Sequence, residues 1–179
     1  MARARLTIAT DGACPNNGRD NAPGGWGWAA DDGRSDSGGE PPPSKNGRME
    51  MMAVREALAA HPDIDVHIQS DSKYVVDGFT EHLAGWKARG WRKADKKPLE
   101  NLDLVRDIDR LLQGRTVTWE WVKAHNGHPL NEQADKLAAA AAEQYRGAPA
   151  ILATFVCQAC FLTRPADQLA IFDRCVDCT

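Results

Sequence analysis

Residues 119–138, WEWVKAHNGHPLNEQADKLA, hold the local signals from which the fold prediction starts. Apolar and polar residues alternate over 117–121, which indicates a strand. A loop with two histidines follows, and Asn131 then opens a helix with Asp135 in its first turns. A histidine loop beside a helical carboxylate suggests a chemical site. The alternative is that Asn131 merely caps the helix, Asp135 lies near its positive end and the histidines are solvated.

Three further acidic residues stand where a predicted strand or helix begins or ends. Residues 5–10 alternate and include β-branched side chains, so we expect a strand that ends at Asp11-Gly12. The short run VHIQ at 66–69 predicts a second strand that stops at Asp71. Apolar residues at helical spacing over 48–60 put Glu50 in the first turn of a helix. Asp11 and Asp71 are therefore both predicted at the end of a strand.

The predicted order of elements is β, β, β, α, β, α, α, β, α. This order favours an α/β fold, a mixed sheet with helices on its faces. In such sheets ligands bind beyond the strand ends, which makes Asp11 and Asp71 candidate neighbours. Sequence spacing leaves open whether Glu50 and Asp135 join them.

Charge is unevenly distributed along the 179 residues. The formal net charge is −3, yet residues 85–101 carry six Lys and Arg against two acids, a local charge of +4. We call residues 85–101 the basic segment. A uniformly basic nucleic-acid binder is excluded, whereas a local basic surface is not. The apolar content of 42% is sufficient for one domain with a small appendage.

The two ends of the sequence give separate expectations. MARARLTIAT is basic and then only briefly apolar, too short a run for a signal peptide or a membrane span, so we expect a cytoplasmic protein without membrane contact. At the other end, two CxxC pairs are separated by fourteen residues; their members are Cys157, Cys160, Cys175 and Cys178. Four thiolates at this spacing predict a structural Zn²⁺ site in a zinc-ribbon-like module, with disulfides or a redox switch as alternatives.

Gly147 and Pro149 indicate a linker. The predicted division is a domain at 1–146, a linker at 147–153 and a zinc-binding tail at 154–179. Residues 151–179 contain two arginines against three aspartates, so electrostatics gives no support to strong duplex binding by the tail. Protein contact, self-association, stabilisation and hybrid binding remain open as its role, and the larger domain is expected to be monomeric.

Four short strings, in the same order along the chain, resemble ribonuclease H of the bacterial, single-domain type. They are TDGAC around Asp11, NGRMEMMA around Glu50, SDSKYV around Asp71 and WVKAHNGHPLNEQAD, which ends at Asp135. One such string is weak evidence, whereas four in order together with a basic segment are specific. The resemblance covers about residues 5–146 and implies a ribonuclease H-like fold, a five-stranded mixed sheet flanked by helices. The cysteine-rich tail lies outside this pattern.

The resemblance implies endonucleolytic hydrolysis of the RNA strand of RNA/DNA hybrids, with 5'-phosphate and 3'-hydroxyl products. Asp11, Glu50, Asp71 and Asp135 would be the metal-binding carboxylates. Mg²⁺, with Mn²⁺ as a substitute, prefers oxygen ligands, so a few carboxylates and a substrate phosphate complete two sites. Two ions about 4 Å apart activate the attacking water and stabilise the leaving oxygen. His125 would be the mobile loop histidine, which helps a proton reach the leaving 3' oxygen or helps product and metal depart.

Recognition of a hybrid depends on the 2'-hydroxyl and on groove shape, with little base readout. The resemblance implies minor-groove contacts at Gly12, Asn17, Asn46, Glu50 and Lys73. The basic segment would contact phosphates, which raises affinity and salt sensitivity without sequence preference. Its candidate residues are Trp86, Lys87, Arg89, Trp91, Arg92, Lys93, Lys96 and Lys97. The alternative is a solvated face with tryptophans buried beneath it.

The sequence departs from the family pattern at two loops. Ala124 replaces the usual glycine before the histidine, which restricts the loop because glycine is the more permissive residue. The loop after Asp11 is longer than the pattern, which affects the match of Asn17. Cys14 in that loop is interpreted as a loop residue rather than a nucleophile.

Two other functions compete with the nuclease. A non-catalytic hybrid-binding or recruitment protein would use the basic segment and the tail, but binding alone needs none of the four acids. A transposase-like nuclease that acts on DNA is disfavoured by the basic segment and the NGRME string.

Overall fold

A five-stranded mixed sheet forms the centre of the larger part of the chain in the computed structural model, which describes residues 5–148, 154–156 and 163–165. The strands of this sheet are β1 (Leu6–Ala13), β2 (Gly24–Ala30), β3 (Ser35–Glu40), β4 (Val66–Ser70) and β5 (Val117–Trp121). Their spatial order is β3-β2-β1-β4-β5. The first three strands are antiparallel neighbours, and β4 and β5 continue the sheet in parallel to β1. The α/β fold with a five-stranded mixed sheet and flanking helices, as predicted from the sequence, is confirmed.

Four of the five α-helices lie in the crossovers that parallel strands require, and the last follows β5. They are α1 (Asn46–Ala60), α2 (Lys73–Asp77), α3 (Leu83–Ala88), α4 (Leu102–Leu111) and α5 (Pro129–Gln144), and a π-helical turn (Gly78–His82) joins α2 to α3. The crossover from β3 to β4 contains α1, and that from β4 to β5 contains α2, α3 and α4. The connection between β2 and β3 needs only a tight turn, in which Gly33 adopts a φ of +89°.

Helices α1 and α5 cover opposite faces of the sheet, because successive residues of a strand point to opposite sides. On β2, a Cβ atom at Gly24 would collide with Met49 of α1, whereas a Cβ at Gly25 would lie 2.1 Å from the carbonyl oxygen of Ala138 in α5. The buried face of α5 is rich in alanine. Small residues on both partners therefore let α5 lie directly on β1 and β2.

The hydrophobic core lies between the sheet, α1 and α4. Its fully buried members come from β1, β4, α1, α2 and α4. They include Ile8, Val66, Ile68, Met51, Val54, Leu58, Val105 and Ile108. Helix α4 spans ten residues and turns Leu104, Val105 and Ile108 towards this core.

The boundaries of β1 and α1 differ from the sequence prediction. β1 extends one residue beyond the predicted end at Asp11-Gly12, because Asp11, Gly12 and Ala13 keep antiparallel partners on β2 after the parallel pairing with β4 has ended at Thr10. α1 begins at Asn46, so Glu50 lies in its second turn rather than its first.

The chain divides into two compact units, Met1–Ala148 and Pro149–Thr179. The second contains an antiparallel pair of short strands, β6 (Thr154–Val156) and β7 (Thr163–Pro165). The four cysteines of the predicted zinc site lie outside the described residues. Within the residues that are described, no helix combines the length and apolar character needed to span a membrane.

Candidate active site

Asp11 and Asp71 lie next to each other where the parallel pairing of β1 with β4 ends. β1 and β4 pair as far as Thr10 and Ser70, and each aspartate is the following residue. The backbone at Asp71 is held by β5, since the indole N–H of Trp121 donates a 2.9 Å hydrogen bond to the Asp71 carbonyl oxygen. The register therefore brings together the two acids that occupy equivalent positions in the sequence.

Glu50 reaches the same point from α1. Its carboxylate accepts a 3.2 Å hydrogen bond at Oε1 from the side-chain amide of Asn46, and the Asn46 backbone N–H donates to Oδ1 of Asn17 at 3.1 Å. Glu50 is only 5% exposed. Its second oxygen, Oε2, has no hydrogen-bond partner among the described residues. A buried carboxylate oxygen without a partner is costly, so it indicates a place for a cation.

The three acids Asp11, Glu50 and Asp71 each offer an oxygen, and these oxygens lie within 4.8 Å of one another. Burial, followed by the negative charge of Asp71, raises the pKa of Asp11 to about 8. Burial, followed by the charges of Asp11 and Asp71, raises the pKa of Glu50 well above its usual value. A divalent cation would remove this repulsion, and carboxylate oxygens are the ligands that Mg²⁺ prefers. The donor set therefore fits a divalent metal ion.

Asp135 borders this group from α5. After burial and the charge of Asp71, the charge of Asp135 also raises the pKa of Asp11, so the two residues lie close to each other. Asp135 is more exposed than Asp11 or Glu50, and it lies outside the trio of oxygens within 4.8 Å. Of the two acids whose position the sequence left open, Glu50 joins Asp11 and Asp71, and Asp135 lies beside Asp11.

His125 lies at the open side of the site. Its Nδ1 is 3.9 Å from Oδ2 of Asp135, and its side chain is 77% exposed. The residue adopts a φ of +51°, whereas Ala124 is not in the left-handed region. The histidine is thus on a surface loop and within reach of the acidic group.

Asn131 is a residue of the site whose position the sequence pattern did not predict. It is the third residue of α5 rather than its cap, because His128 precedes the helix and Pro129 is its first residue. Asn131 is 2% exposed, and its Nδ2 lies 3.4 Å from Oδ2 of Asp71. One signal was available, since Asn131 and Asp135 are four residues apart and therefore share a helix face.

A cleft of about 400 Å³ opens beside Glu50. The residues that line it come from the loop after β1, the start of α1, the start of α2 and the segment ahead of α4. They are Asn17, Lys45, Asn46, Gly47, Arg48, Glu50, Ser72, Tyr74, Glu100 and Asn101. Two predicted substrate contacts, Asn17 and Asn46, thus lie on this cleft. A third, Lys73, places its Nζ 5.1 Å from the ring centre of Trp121.

Most cations of the basic segment have an internal partner. Lys87 pairs with Asp109, Lys93 with Glu100 and Lys97 with Asp95, each at 2.8 to 3.0 Å. The two arginines of the loop are also engaged, since Arg89 donates to the carbonyl of Arg92, and Arg92 to that of Lys96. The ammonium group of Lys96 alone among these cations has no ion-pair or hydrogen-bond partner within residues 5–148. The number of lysines and arginines therefore overstates the free positive charge.

The two tryptophans of the basic segment differ in exposure. Trp86 is 6% exposed and belongs to the hydrophobic core, so we assign it to packing beneath the segment rather than to the surface. Trp91 is partly buried, with the guanidinium of Arg106 5.3 Å from its ring centre.

Comparison with known proteins agrees with this arrangement. An RNase H family model matches residues 3–143. A ribonuclease H of Cupriavidus necator is 51% identical over 139 residues, which cover 74% of this chain and 92% of the relative. The crystal structure of LC9-RNase H1, a type 1 RNase H with the type 2 active-site motif, superposes with a TM-score of 0.70 at 32% identity, over 81% of this chain and 75% of that one.

A more distant likeness extends to viral enzymes. The foamy viral protease-reverse transcriptase, solved in complex with RNA/DNA hybrid, superposes with a TM-score of 0.64 at 23% identity, over 78% of this chain and 20% of that one. This likeness shows the shared fold. The chain belongs to the ribonuclease H family, whose enzymes use divalent metal ions to hydrolyse the RNA strand of RNA/DNA hybrids.

Proposed function

We propose that Asp11, Glu50, Asp71 and Asp135 hold two Mg²⁺ ions and that the chain cuts the RNA strand of a hybrid endonucleolytically. The observation that carries the proposal is the approach of three carboxylate oxygens to within 4.8 Å, one of them from Glu50, a buried glutamate whose Oε2 has no hydrogen-bond partner among the described residues. When bound, the ions would supply an activated water and neutralise charge on the leaving 3' oxygen, so that the products carry 5'-phosphate and 3'-hydroxyl ends.

The protein residues have distinct parts in this proposal. Asp11 and Asp71 are fixed by the parallel strands, and Glu50 is oriented by Asn46. His125 is exposed and 3.9 Å from Asp135, so it is free to carry a proton towards the leaving oxygen or to assist product and metal departure. Asn131 is proposed as a positioning residue, since its amide group donates to the Asp71 carboxylate and makes no other hydrogen bond to the four acids in the described part of the chain.

The substrate side of the proposal uses the cleft and the exposed cations. Asn17 and Asn46 lie on the cleft beside Glu50 and are proposed to follow the minor groove with Gly12 and Lys73. Arg89, Trp91, Arg92, Lys93, Lys96 and Lys97 are proposed to contact the hybrid backbone. Lys87 is a weaker candidate, because its ammonium group makes two hydrogen bonds to the largely buried Asp109.

Cleavage of labelled hybrid, double-stranded RNA and double-stranded DNA, with and without Mg²⁺, tests this function. Cleavage of the RNA strand of the hybrid alone, and only with metal, is the expected result; Mn²⁺ is expected to substitute. A matched Asp71→Asn variant should bind hybrid and not cut it. Equal cleavage of double-stranded DNA would favour the transposase-like alternative, and binding without cleavage would favour a recruitment protein.

We also propose that Cys157, Cys160, Cys175 and Cys178 hold a structural Zn²⁺. The support is their spacing, together with the position of the first pair in the sequence between β6 and β7. Thiolate ligands imply a reducing compartment, so this proposal includes a cytoplasmic location.

Zinc analysis of the purified full chain should give one zinc per chain, and the Cys175→Ser variant should lose it. The same two proteins, compared for hybrid affinity and for mass in solution, would show whether the zinc-bound tail contributes to hybrid binding or to self-association. Full-length protein free of zinc, with paired disulfides, would contradict the zinc site.

A further inference from the structure

The cleft beside Glu50 is lined by one other acid, Glu100. Glu100 is also one of only two acids in the basic segment. If the cleft receives a hybrid, a carboxylate at this place faces a strand of phosphates that repel it. The negative charge of Glu100 would therefore oppose the binding of a hybrid in this cleft.

Glu100 lies close to two lysines, Lys93 of the basic segment and Lys45 of the cleft lining. Its Oε1 accepts a 2.9 Å hydrogen bond from Nζ of Lys93, and both side chains are exposed. This hydrogen bond, followed by the charge of Lys93 and with a contribution from Lys45, lowers the pKa of Glu100. Glu100 is therefore ionised at neutral pH and already compensates the charge of at least one lysine that would otherwise be available to phosphate.

The loop that carries Lys93 is also held by backbone contacts. The backbone N–H of Lys93 donates to the carbonyl of Lys97, and that of Lys96 to the carbonyl of Lys93, both at 3.0 Å. Arg92 and Pro98 form an isolated β-bridge. Because exposed ion pairs add little to stability, we expect these backbone contacts rather than the pair with Glu100 to fix the position of Lys93.

We propose that Glu100 is a competing anion in the hybrid-binding cleft, which occupies Lys93 in the free enzyme and is displaced from it by a phosphate of the hybrid. This inference rests on the proposed function, because it takes the cleft to be a hybrid site. Displacement leaves Glu100 to attract a solvent cation, which offsets the counterion release from the nucleic acid. Glu100 therefore weakens hybrid binding and makes it less sensitive to salt.

The test is the Glu100→Gln variant of the full chain, which keeps size and polarity and removes the charge. Its Kd for a hybrid is measured without Mg²⁺, so that no cleavage occurs, over a salt range of about 50 to 200 mM. At the low end the Kd should fall about three- to tenfold, and the slope of log K against log salt should steepen by up to about 0.9. With Mg²⁺, KM should fall and kcat should stay within about twofold, because the Glu100 side chain touches none of the metal-site acids.

Glu143→Gln is the matched control, because Glu143 is also an exposed glutamate in an ion pair, with Arg146 near the end of α5. It should leave the Kd and the salt slope unchanged. A second comparison uses the Lys93→Gln background, in which Glu100→Gln should give little or no further gain.

Weaker or unchanged binding by Glu100→Gln would overturn the inference and would make Glu100 an organiser of Lys93 instead. A gain that persists in full without Lys93 would also overturn it, because the effect would then be one of general charge. Failure of the wild-type chain to cut hybrid with Mg²⁺ would overturn the proposed function, while the binding comparison would still decide the role of Glu100.

Discussion

A Cβ atom built on Gly12 would lie 2.3 Å from the backbone nitrogen of Glu50, so β1 and α1 are in direct contact at the residue next to Asp11. The same atom would lie 2.6 Å from the carbonyl carbon of Met49. Both neighbours are backbone atoms, which no rotamer change can move. The absence of a side chain at Gly12 is thus what allows Asp11 and Glu50, far apart in sequence, to share a site.

Gly12→Ala should separate the strand from the helix. Overpacking of a tight contact costs about 1–3 kcal/mol, and we expect the upper part of this range because backbone must shift. Since the shift moves Glu50 relative to Asp11, cleavage should fall by more than about tenfold under conditions in which the variant is folded. Urea unfolding and steady-state kinetics check the two effects.

Gly47→Ala provides the control for Gly12→Ala. A Cβ at Gly47 would lie 3.6 Å from the ring of Tyr74, an ordinary contact, and the residue is already helical. Alanine should therefore leave the free energy of unfolding unchanged or raise it by up to about 1 kcal/mol. A comparable loss at both glycines would contradict a specific role for the Gly12 contact.

The stability of the metal-free protein should fall as pH rises from about 5 to about 8. The pKa of Asp11 is raised from 3.8 to about 8, and that of Glu50 is also raised, so the folded state binds more protons than the unfolded chain in this window. This contribution is fully present below the unfolded pKa values and is lost as the pH passes the folded ones. The exposed acids with lowered pKa values, such as Asp32 and Asp95, finish titrating below this window.

Urea unfolding in the presence of a chelator measures this effect, with an expected loss of about 2 kcal/mol between the two pH values. Excess Mg²⁺ should restore stability at the higher pH more than at the lower, because the metal binds the deprotonated acids. Stability that is constant or rises over this interval, or that does not respond to Mg²⁺, would contradict a clustered acidic site.

Asp71→Asn should abolish cleavage and leave the metal-free protein as stable as the wild type or more stable. The charge of Asp71 is the second cause, after burial, of the raised pKa of Asp11. Two like charges at 4 Å repel by up to about 4 kcal/mol at an effective dielectric constant of 20, and the substitution removes this term. Thermal melting near pH 8 and a hybrid cleavage assay check both parts, and a clear drop in the melting temperature of the variant would argue against the cluster.

Asn131→Ala should lower kcat without unfolding the protein. The Asn131 amide is the neighbour of Asp71 Oδ2, and loss of a residue that orients a metal ligand costs about 10- to 100-fold in activity or metal affinity. The readouts are kcat and the Mg²⁺ concentration for half-maximal activity. Gln133→Ala, at an exposed position of the same helix, should change neither. An Asn131→Ala variant with lower stability and unchanged metal dependence would make Asn131 a purely structural residue.

The strands and acids were predictable because each signal is local. Alternation over 5–10 and 66–69 predicts the two strands. In each case an acid directly follows the last residue of the parallel pairing, so Asp11 and Asp71 meet at the same end of the two strands. The place of Asn131 was not predictable in the same way, since the helix starts two residues earlier, where Pro129 takes the first helical position that suits its fixed φ.

Contacts between distant segments were beyond the sequence pattern. The partner of Lys87 is Asp109, on another helix, and the backbone of Glu50 is the partner of Gly12. Such pairs depend on how α1, α3 and α4 pack, which no periodicity encodes. For this reason the charge of the basic segment could be counted from sequence, whereas the share of it that is free could not.

Arg115→Ala should lower the free energy of unfolding, although Arg115 is not part of the acidic site. Its guanidinium donates to the carbonyls of Leu58, His61 and Leu111, and so satisfies the C-terminal ends of α1 and α4 together. Loss of hydrogen bonds from a charged donor to carbonyls at two helix ends should cost about 2–3 kcal/mol in urea unfolding. Arg110→Ala, at an exposed arginine in the last turn of α4, should lower the free energy of unfolding by less than about 0.5 kcal/mol.

Lys96→Gln should flatten the salt dependence of hybrid binding more than Lys97→Gln does. Lys96 has no ion-pair partner in the described part of the chain. The Nζ atom of Lys97, in contrast, lies 3.0 Å from an oxygen of Asp95, and the backbone N–H of Lys97 donates a hydrogen bond to the same carboxylate. A free lysine that contacts a phosphate contributes about 0.9 to the slope of log K against log salt, and a lysine already held by an acid contributes less. The Kd of each variant, measured without Mg²⁺ at several salt concentrations, gives the two slopes, and the double variant should show nearly their sum. Turnover at saturating hybrid should stay close to that of the wild type, because neither ammonium group pairs with one of the four acids of the proposed metal site. Equal changes for the two lysines would mean that the ion pair with Asp95 opens at no cost when the hybrid binds, and the internal pairs would then place no limit on the charge available to the substrate.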